Sequence, residues 1–516
     1  MPSLVSDNFR VFAAEQFIES LEEPYESNGT PSVDNSTAAY NYRSKIYLFV
    51  GRPQDWTLER YSGRIDVSEF EPPDVFDSFN DMNEVYDDMI AVKRVTRSDL
   101  SQVIRKREWK SGVIYDMYKN NYTPENLSVN GQSKLYDSQF YVMNSNYQVY
   151  KCIYNGQSPT YPNGRPSTVE PTGNTTSIIE SFNDGYRWKY MYTINISEYI
   201  KFVSSDFIPV KNESTVTAAA TSGSIDQLLI KNRGSGLTNG TYYAPIIGDH
   251  TNIAIAQLTV TSGQIQIATL ERVGLGYTNA RILLAEVYTS ANDAVNRTTG
   301  QSTSLGTTVD VEAIISPPGG HGSNSVRELG GYRVMINKSL EFLDGSGDIP
   351  VDSQFRRFGL ISDPTRPDGT DLTITTATAC KSIKFPSTST TNFAVGEIIT
   401  QDTTGAMGRV IHWDQVTKVL RYYQNEYTNA LQTGPNQYKY VPFSGTNAIT
   451  GSTSNTTLTP DTTASGTGSY FGITFTTGYA DPEIAKNSGN VIYVENRKAV
   501  NRSNDQIEDI KLVIEF

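Results

Sequence analysis

The sequence predicts a mainly β protein: a layered β-sandwich core with a few helices, interrupted by two inserted β-rich modules. Three observations lead there. Short runs of β-branched and aromatic residues recur along the chain, often alternating with polar ones and separated by Gly, Pro, Asn or Asp. The composition holds 32 Tyr and only 37% apolar residues at a mean hydropathy of −0.41, which suits sheets with wet faces and many turns. TSGSIDQLLIKNRGSGLTN (221–239) also recurs as TSGQIQIATLERVGLGYTN (261–279), a shift of 40 residues that marks a repeated supersecondary unit.

The elements run in chain order. RVFAAEQFIESLEE (10–23) is helix-like, with Val11, Phe12, Phe17, Ile18 and Leu21 as an apolar stripe and Pro24 as its terminator. A Ser-, Asn- and Gly-rich loop precedes KIYLFVGRPQDW, a strand running into a turn at Gly51–Pro53. Residues 66–88 carry nine acidic side chains and no basic one. Phe79, Met82, Val85, Met89 and Ile90 have helical spacing there, and Ser78 with Asp81 reads as a capping box. Residues 93–110 reverse the sign, with seven basic side chains against two acidic. Such runs are ordinarily solvated faces; the functional alternative is a bipolar docking surface for a partner protein over 66–110, its basic half including Arg105, Lys106 and Arg107.

QFYVMNSNYQVYKCIYN reads as two strands around an Asn–Ser–Asn turn, and DGYRWKYMYTI as a further aromatic strand. The two copies of the repeat are too few for a propeller. Their paired glycines, Gly234/Gly236 and Gly274/Gly276, lack the third glycine and following helix of a dinucleotide fingerprint, so positive-φ turns are expected. FAVGEIITQDTTGAMGRVIHW looks like a hairpin within a second Gly- and Thr-rich segment. The last two apolar segments, Val491–Val494 and Ile510–Phe516, are expected as sheet strands that hold the chain end. In the first, Ile492 and Tyr493 are expected inside and Glu495 paired with Arg497, so that Ile492→Ala costs about 2–5 kcal/mol.

Charge and motifs narrow the function. With 43 basic and 56 acidic side chains the net charge is −13, which disfavours a nucleic-acid partner. No apolar run after Met1 resembles a signal peptide, and nothing approaches a membrane span. Cys152 and Cys380 lie far apart, without metal-ligand spacing, and read as free buried thiols. His250, His321 and His412 form no metal motif, and His321, in PPGGHGSNSVRELGG, reads as a structural hydrogen bonder in a turn. Trp56, Trp109, Trp188 and Trp413 read as core or interface anchors. No nucleophile elbow or P-loop occurs, so no catalytic, cofactor-binding or metal residue is nominated.

Six blocks carry a family resemblance in order: LFVGRPQDW (48–56), VIRKREWKSG (103–112), DGYRWKYMYTI (184–194), YRVMINKSLEF (332–342), FRRFGLISDPTRPDG (355–369) and DPEIAKNSGNVIYVENRKAV (481–500). Together they make the chain resemble the gene-product-eight baseplate wedge family of T-even-type, contractile-tailed bacteriophages. The most specific is the last, with Ile492–Tyr493 and Glu495–Asn496–Arg497. The resemblance divides the chain into a wedge core at 1–212, 326–380 and 470–516, interrupted by the repeated module at 213–325 and a Thr/Gly-rich module at 381–469. It implies a homodimer that contacts other wedge subunits in the virion tail after assembly in the host cytoplasm, with no enzyme activity, cofactor, nucleic acid or membrane. A host-binding tail adhesin and a tail-embedded wall hydrolase are the competing readings.

Overall fold

A computed structural model describes residues 4–21, 45–58, 61–181, 183–297, 304–306, 308–340, 349–351, 353–425, 440–467, 473–503 and 506–516. The fold is mainly β, with 38% strand, 11% helix and several antiparallel sheets. Two compact units emerge: Met1–Gln16, Ser101–Met335 and Val513–Phe516 in the first, Phe17–Leu100 and Ile336–Leu512 in the second.

The first unit is organised by tyrosine. A four-stranded antiparallel sheet runs in the order Tyr141–Met143, Gln148–Asn155, Tyr186–Thr193, Ile179–Glu180. The Asn–Ser–Asn turn forms as expected, because Asn144 Oδ1 accepts from the Asn146 and Gln148 amides, both at 2.9 Å. Tyr115, Tyr141, Tyr150, Tyr186, Tyr192 and Trp188 are buried in one cluster. Their hydroxyls are not wasted in it. Tyr186 donates to the Arg165 carbonyl (2.8 Å), Tyr192 to Pro209 (2.9 Å) and Tyr141 to Arg105 (2.9 Å). Each ring therefore fills the core while its hydroxyl satisfies a backbone carbonyl, in a loop at Arg165 and at strand ends at Arg105 and Pro209. Cys152 is a free buried thiol of this core, and Cys380 one of the second unit.

The repeat builds its own small core from two sheets. One pairs Ile225–Arg233 with Val309–Ile315; the other runs Gln264–Arg272, Ala254–Thr261, Gly240–Gly248, Ala280–Ile282. The glycines take positive φ as expected: 69° and 68° at Gly234 and Gly236, 70° and 79° at Gly274 and Gly276. The two copies bind each other reciprocally. The Leu237 amide donates to Gly263 O and the Tyr277 amide to Gly223 O, both at 3.0 Å, so each pair is the other with the two copies exchanged. Each opening turn thus rests on the closing turn of the other copy. Val216, Leu229 and Ile314, from the same stretch of chain, belong instead to the tyrosine cluster.

In the second unit a five-stranded antiparallel sheet runs Thr376–Thr378, Met89–Arg94, Ile46–Gly51, Ser353–Ser362, Asn490–Arg502. All six residues of Ile46–Gly51 are buried. Phe49 lies opposite Gly359, where an added Cβ would fall 2.6 Å from the Phe49 ring and 2.0 Å from the Tyr493 carbonyl. Only a residue without a side chain leaves room for that ring. A second sheet runs Thr457–Leu458, Ile449–Gly451, Ile398–Gln401, Ala406–Asp414, Val419–Tyr423, Lys381–Lys384, Tyr479–Ala480. The hairpin expected within 393–413 forms here as Ile398–Gln401 paired with Ala406–Asp414, and the sheet has its own core around Phe385, Phe393 and Trp413.

Several expectations are corrected. Helix Asp7–Glu19 forms, but Phe12 is exposed, and its buried stripe is Val11, Ala14 and Ile18, with Leu21 just beyond. Pro24 and the loop after it lie outside the described residues. Helix Phe79–Val85 is shorter than its apolar spacing suggested. Met89 and Ile90 belong to strand Met89–Arg94, where pairing with Ile46–Gly51 overrides the helical period. Ser78 caps the helix by accepting from the Asp81 amide, yet Asp81 accepts from Phe76 N (2.9 Å), so the reciprocal half of the box is absent. Asn490–Arg502 is an edge strand, with Ile492 46% and Tyr493 37% exposed, so neither is packed inside. The Arg497–Glu495 pair does form, at 2.5 Å on an exposed face, where such pairs contribute little.

The chain end is held. Ile510 and Leu512 are buried, Phe516 N donates to Tyr332 O (3.2 Å), and Glu515 pairs with Arg10 (2.5 Å) and Arg333 (2.8 Å). Arg10 and Arg333 hold the Glu515 carboxyl below its ordinary range against the opposing effect of burial, which is the largest single influence on it. The contrast between central and edge strands is measurable. Phe49→Ala should cost about 3–5 kcal/mol, and Ile492→Ala no more than about 0.5 kcal/mol, in denaturant melts of the full chain.

Candidate functional site

A buried polar constellation lies in the first unit, supplied by two strands, a short helix and a Gly-rich turn. Lys151 sits inside strand Gln148–Asn155 with no side-chain exposure and is ion-paired to Glu328 Oε2. Glu328 ends the short helix Ser325–Glu328, which Asn324 caps by accepting from the Arg327 amide (3.0 Å). The other Glu328 oxygen accepts from Gly322 N at 2.7 Å. His321 comes from the Gly-rich turn, and its Nε2 lies 2.5 Å from Asp226 Oδ2 on strand Ile225–Arg233.

The turn is glycine-rich for a steric reason. Gly320 and Gly322 have φ of 93° and 88°, and a Cβ on them would fall 2.4 Å from Thr221 O and 2.3 Å from Val216 Cγ1. That close approach seats His321 against Tyr118, edge to face at 5.0 Å between centroids. The Lys151 ammonium is also 5.0 Å from the centre of the Tyr118 ring. Burial pushes the Lys151 ammonium below its ordinary pKa, with Glu328 opposing. Burial likewise pushes the His321 imidazole down, with Asp226 opposing and Lys151 reinforcing. Burial raises the Tyr118 hydroxyl.

A hydrogen-bonded Asp–His pair is the orienting half of many general-base devices. Here the other ring nitrogen, Nδ1, makes no hydrogen bond and faces Glu328 Oε2 at 4.0 Å. Lys151, Asp226, His321 and Glu328 are each less than a tenth exposed. The arrangement balances two carboxylates against two bases inside a core and ties Asp226 and His321 to the tyrosine sheet. Asp226 also borders a cleft of about 680 Å³, where Arg187 is committed to Gln227 (2.8 Å) and Glu180 (3.4 Å).

His321 therefore has the structural hydrogen bond expected of it. Lys151, Asp226 and Glu328 were missed, although a lysine inside the aromatic strand QVYKCIYN was a signal. His250 bonds Gly248 O through Nδ1 (2.9 Å) and stacks on Tyr277, while His412 lies on strand Ala406–Asp414. Trp56, Trp188 and Trp413 are buried and Trp109 half-buried. Arg105 is exposed over the Phe207 ring (4.8 Å), Lys106 pairs with Glu108 (2.7 Å), and Arg107 lies over Tyr141 and donates to Asp137 O (3.1 Å). Among the described residues, no group of three or more His, Cys, Asp or Glu is placed to hold a metal ion, and no helix is long and apolar enough to cross a membrane. No family model matches the chain, and no curated protein is similar to it in sequence.

The imidazole gives a signed pH dependence. With its folded pKa below the unfolded value of about 6.5, the unfolded state takes up the proton first as pH falls. The contribution of neutral His321 is full above about 6.5 and declines on acidification, by at most about 1.4 kcal/mol per pH unit. His321→Gln, which can still donate to Asp226, should flatten the loss of stability between pH 7 and 5. An unchanged slope in denaturant melts would assign that loss to other groups.

Proposed function

We propose that this protein is a structural subunit of the baseplate wedge of a contractile phage tail. It acts as a homodimer, joins other wedge subunits and helps transmit conformational change during infection. No catalytic step, cofactor, nucleic acid or membrane enters this reading. One observation carries it: three of the blocks that resemble the wedge family, far apart in sequence, lie side by side in one sheet. LFVG pairs through Phe49 and Gly359 with FRRFGLIS, which pairs in turn through Phe358 and Glu495 with NVIYVENRKAV.

A fourth block, DGYRWKYMYTI, supplies the aromatic strand Tyr186–Thr193 of the other unit. Such blocks carry sheet geometry and core packing, as a scaffold subunit requires. The stretches without counterpart in the family, 213–325 and 381–469, hold strands with their own hydrophobic clusters. Long insertions cost little closure entropy, about 0.6 kcal/mol per doubling of loop length.

The test is composition and position in tails purified from the phage that encodes the chain. Two copies per wedge, about twelve around a six-fold baseplate, are expected by quantitative mass spectrometry and imaging. Location at fibre tips would make the protein an adhesin, and absence from tails would remove the wedge reading.

A further inference from the structure

We propose that the acidic, aromatic segment Phe70–Phe79 is a preformed docking surface for a basic surface with apolar pockets on a different protein of the same assembly. The partner's place in the assembly rests on the wedge reading; the surface and its chemistry rest on the segment's exposed side chains, their anchoring and their charge.

Phe70, Phe76 and Phe79 are 77%, 66% and 89% exposed, and Ile65 just before them is fully exposed. Aromatic side chains held in water along one short segment mark interaction sites. The segment is anchored at its root. Glu69 accepts from the Trp56 amide (2.8 Å) and from Arg356 Nε (2.9 Å), and Val67 is buried against Trp56 and Tyr61. In the middle, Asn496 Nδ2 donates to Pro73 O (2.9 Å). At the far end Asp81 accepts from Phe76 N and Ser78 caps the helix that starts at Phe79. The phenylalanines are therefore displayed on a fixed backbone, which keeps the ordering cost of binding small.

Charge selects the partner. Glu71, Asp74 and Asp77 are exposed between the aromatic residues, and no basic residue occurs in 66–88, although Lys498 of strand Asn490–Arg502 lies 5.3 Å from the Phe70 ring centre. A two-fold contact between two copies through this segment would set acid against acid. A different protein with Lys or Arg around apolar pockets satisfies both features, with the phenylalanines as anchors.

The test places a photo-crosslinking benzoylphenylalanine at position 76 of the full-length chain in infected cells. The expected product is a cross-link to another protein through a peptide flanked by Lys or Arg. Its yield should fall by about tenfold or more in Phe70→Ser/Phe79→Ser and in Asp74→Lys/Asp77→Lys, with thermal melts unchanged. A cross-link only to a second copy, to an acidic peptide or to lipid overturns the proposal, as does none at all. Tails purified from the same cells separate the two readings. A basic partner captured while the chain is absent from tails leaves the docking surface standing and removes the wedge. A chain present in tails without the cross-link does the reverse.

Discussion

The antiparallel pairing of Ile46–Gly51 with Ser353–Ser362 is the constraint on which the second unit depends. A strand with all six residues buried cannot leave its backbone polar groups unpaired, so it needs a neighbour on both edges. Met89–Arg94 supplies one and Ser353–Ser362 the other, and the latter then templates Asn490–Arg502. Phe49 over Gly359 fixes the register, because a one-residue slip would set a side chain against that ring. Loop closure grows only logarithmically with length, so the chain between these strands can be long without undoing the pairing. Folding is where length tells, since contacts this distant in sequence form slowly.

The first unit solves a different problem: a core made from residues that carry polar tips. Tyrosine fills it because its hydroxyls meet backbone carbonyls of neighbouring segments, as Tyr186 does at Arg165 in a loop and Tyr192 at Pro209 at a strand end. Lys151, Glu328, His321 and Asp226 extend the same logic to charge. Replacing such a network by apolar residues is often neutral, whereas removing one member strands another in a medium that cannot solvate it. The network is thus better understood as a register device than as a source of stability. It ties together the strand, the glycine turn and the short helix.

What was legible in the sequence was what short-range physics decides. The Asn144 turn, the 398–414 hairpin and the positive-φ glycines of the repeat arise from side-chain chemistry within a few residues. Met89 and Ile90 were illegible because their helical spacing was overruled by pairing with the distant strand Ile46–Gly51. Ile492 misled for a related reason. Its segment has the composition of a central strand, and only sheet order, a long-range property, shows that it lies at an edge. The buried network brings together positions 151, 226, 321 and 328, which no local pattern connects; its traces were His321 in the Gly-rich turn and the lysine within QVYKCIYN.

The repeat shows why a period can stop at two. Solenoids and propellers grow because each unit offers its neighbour a surface that the neighbour offers onward. In this chain the surfaces are exchanged. The turn at Gly263 accepts from Leu237 of the first copy, and the turn at Gly223 accepts from Tyr277 of the second. Gly223 lies so close to the closing turn of the second copy that a Cβ on it would fall 2.6 Å from Tyr277 N and 2.9 Å from Gly276 Cα, which glycine at 223 avoids. Each copy thereby uses the other's binding edge, as the halves of a two-fold dimer do, and neither is left to receive a third. The module is closed by its own internal pairing, which is how two copies, too few for a propeller, still enclose a core.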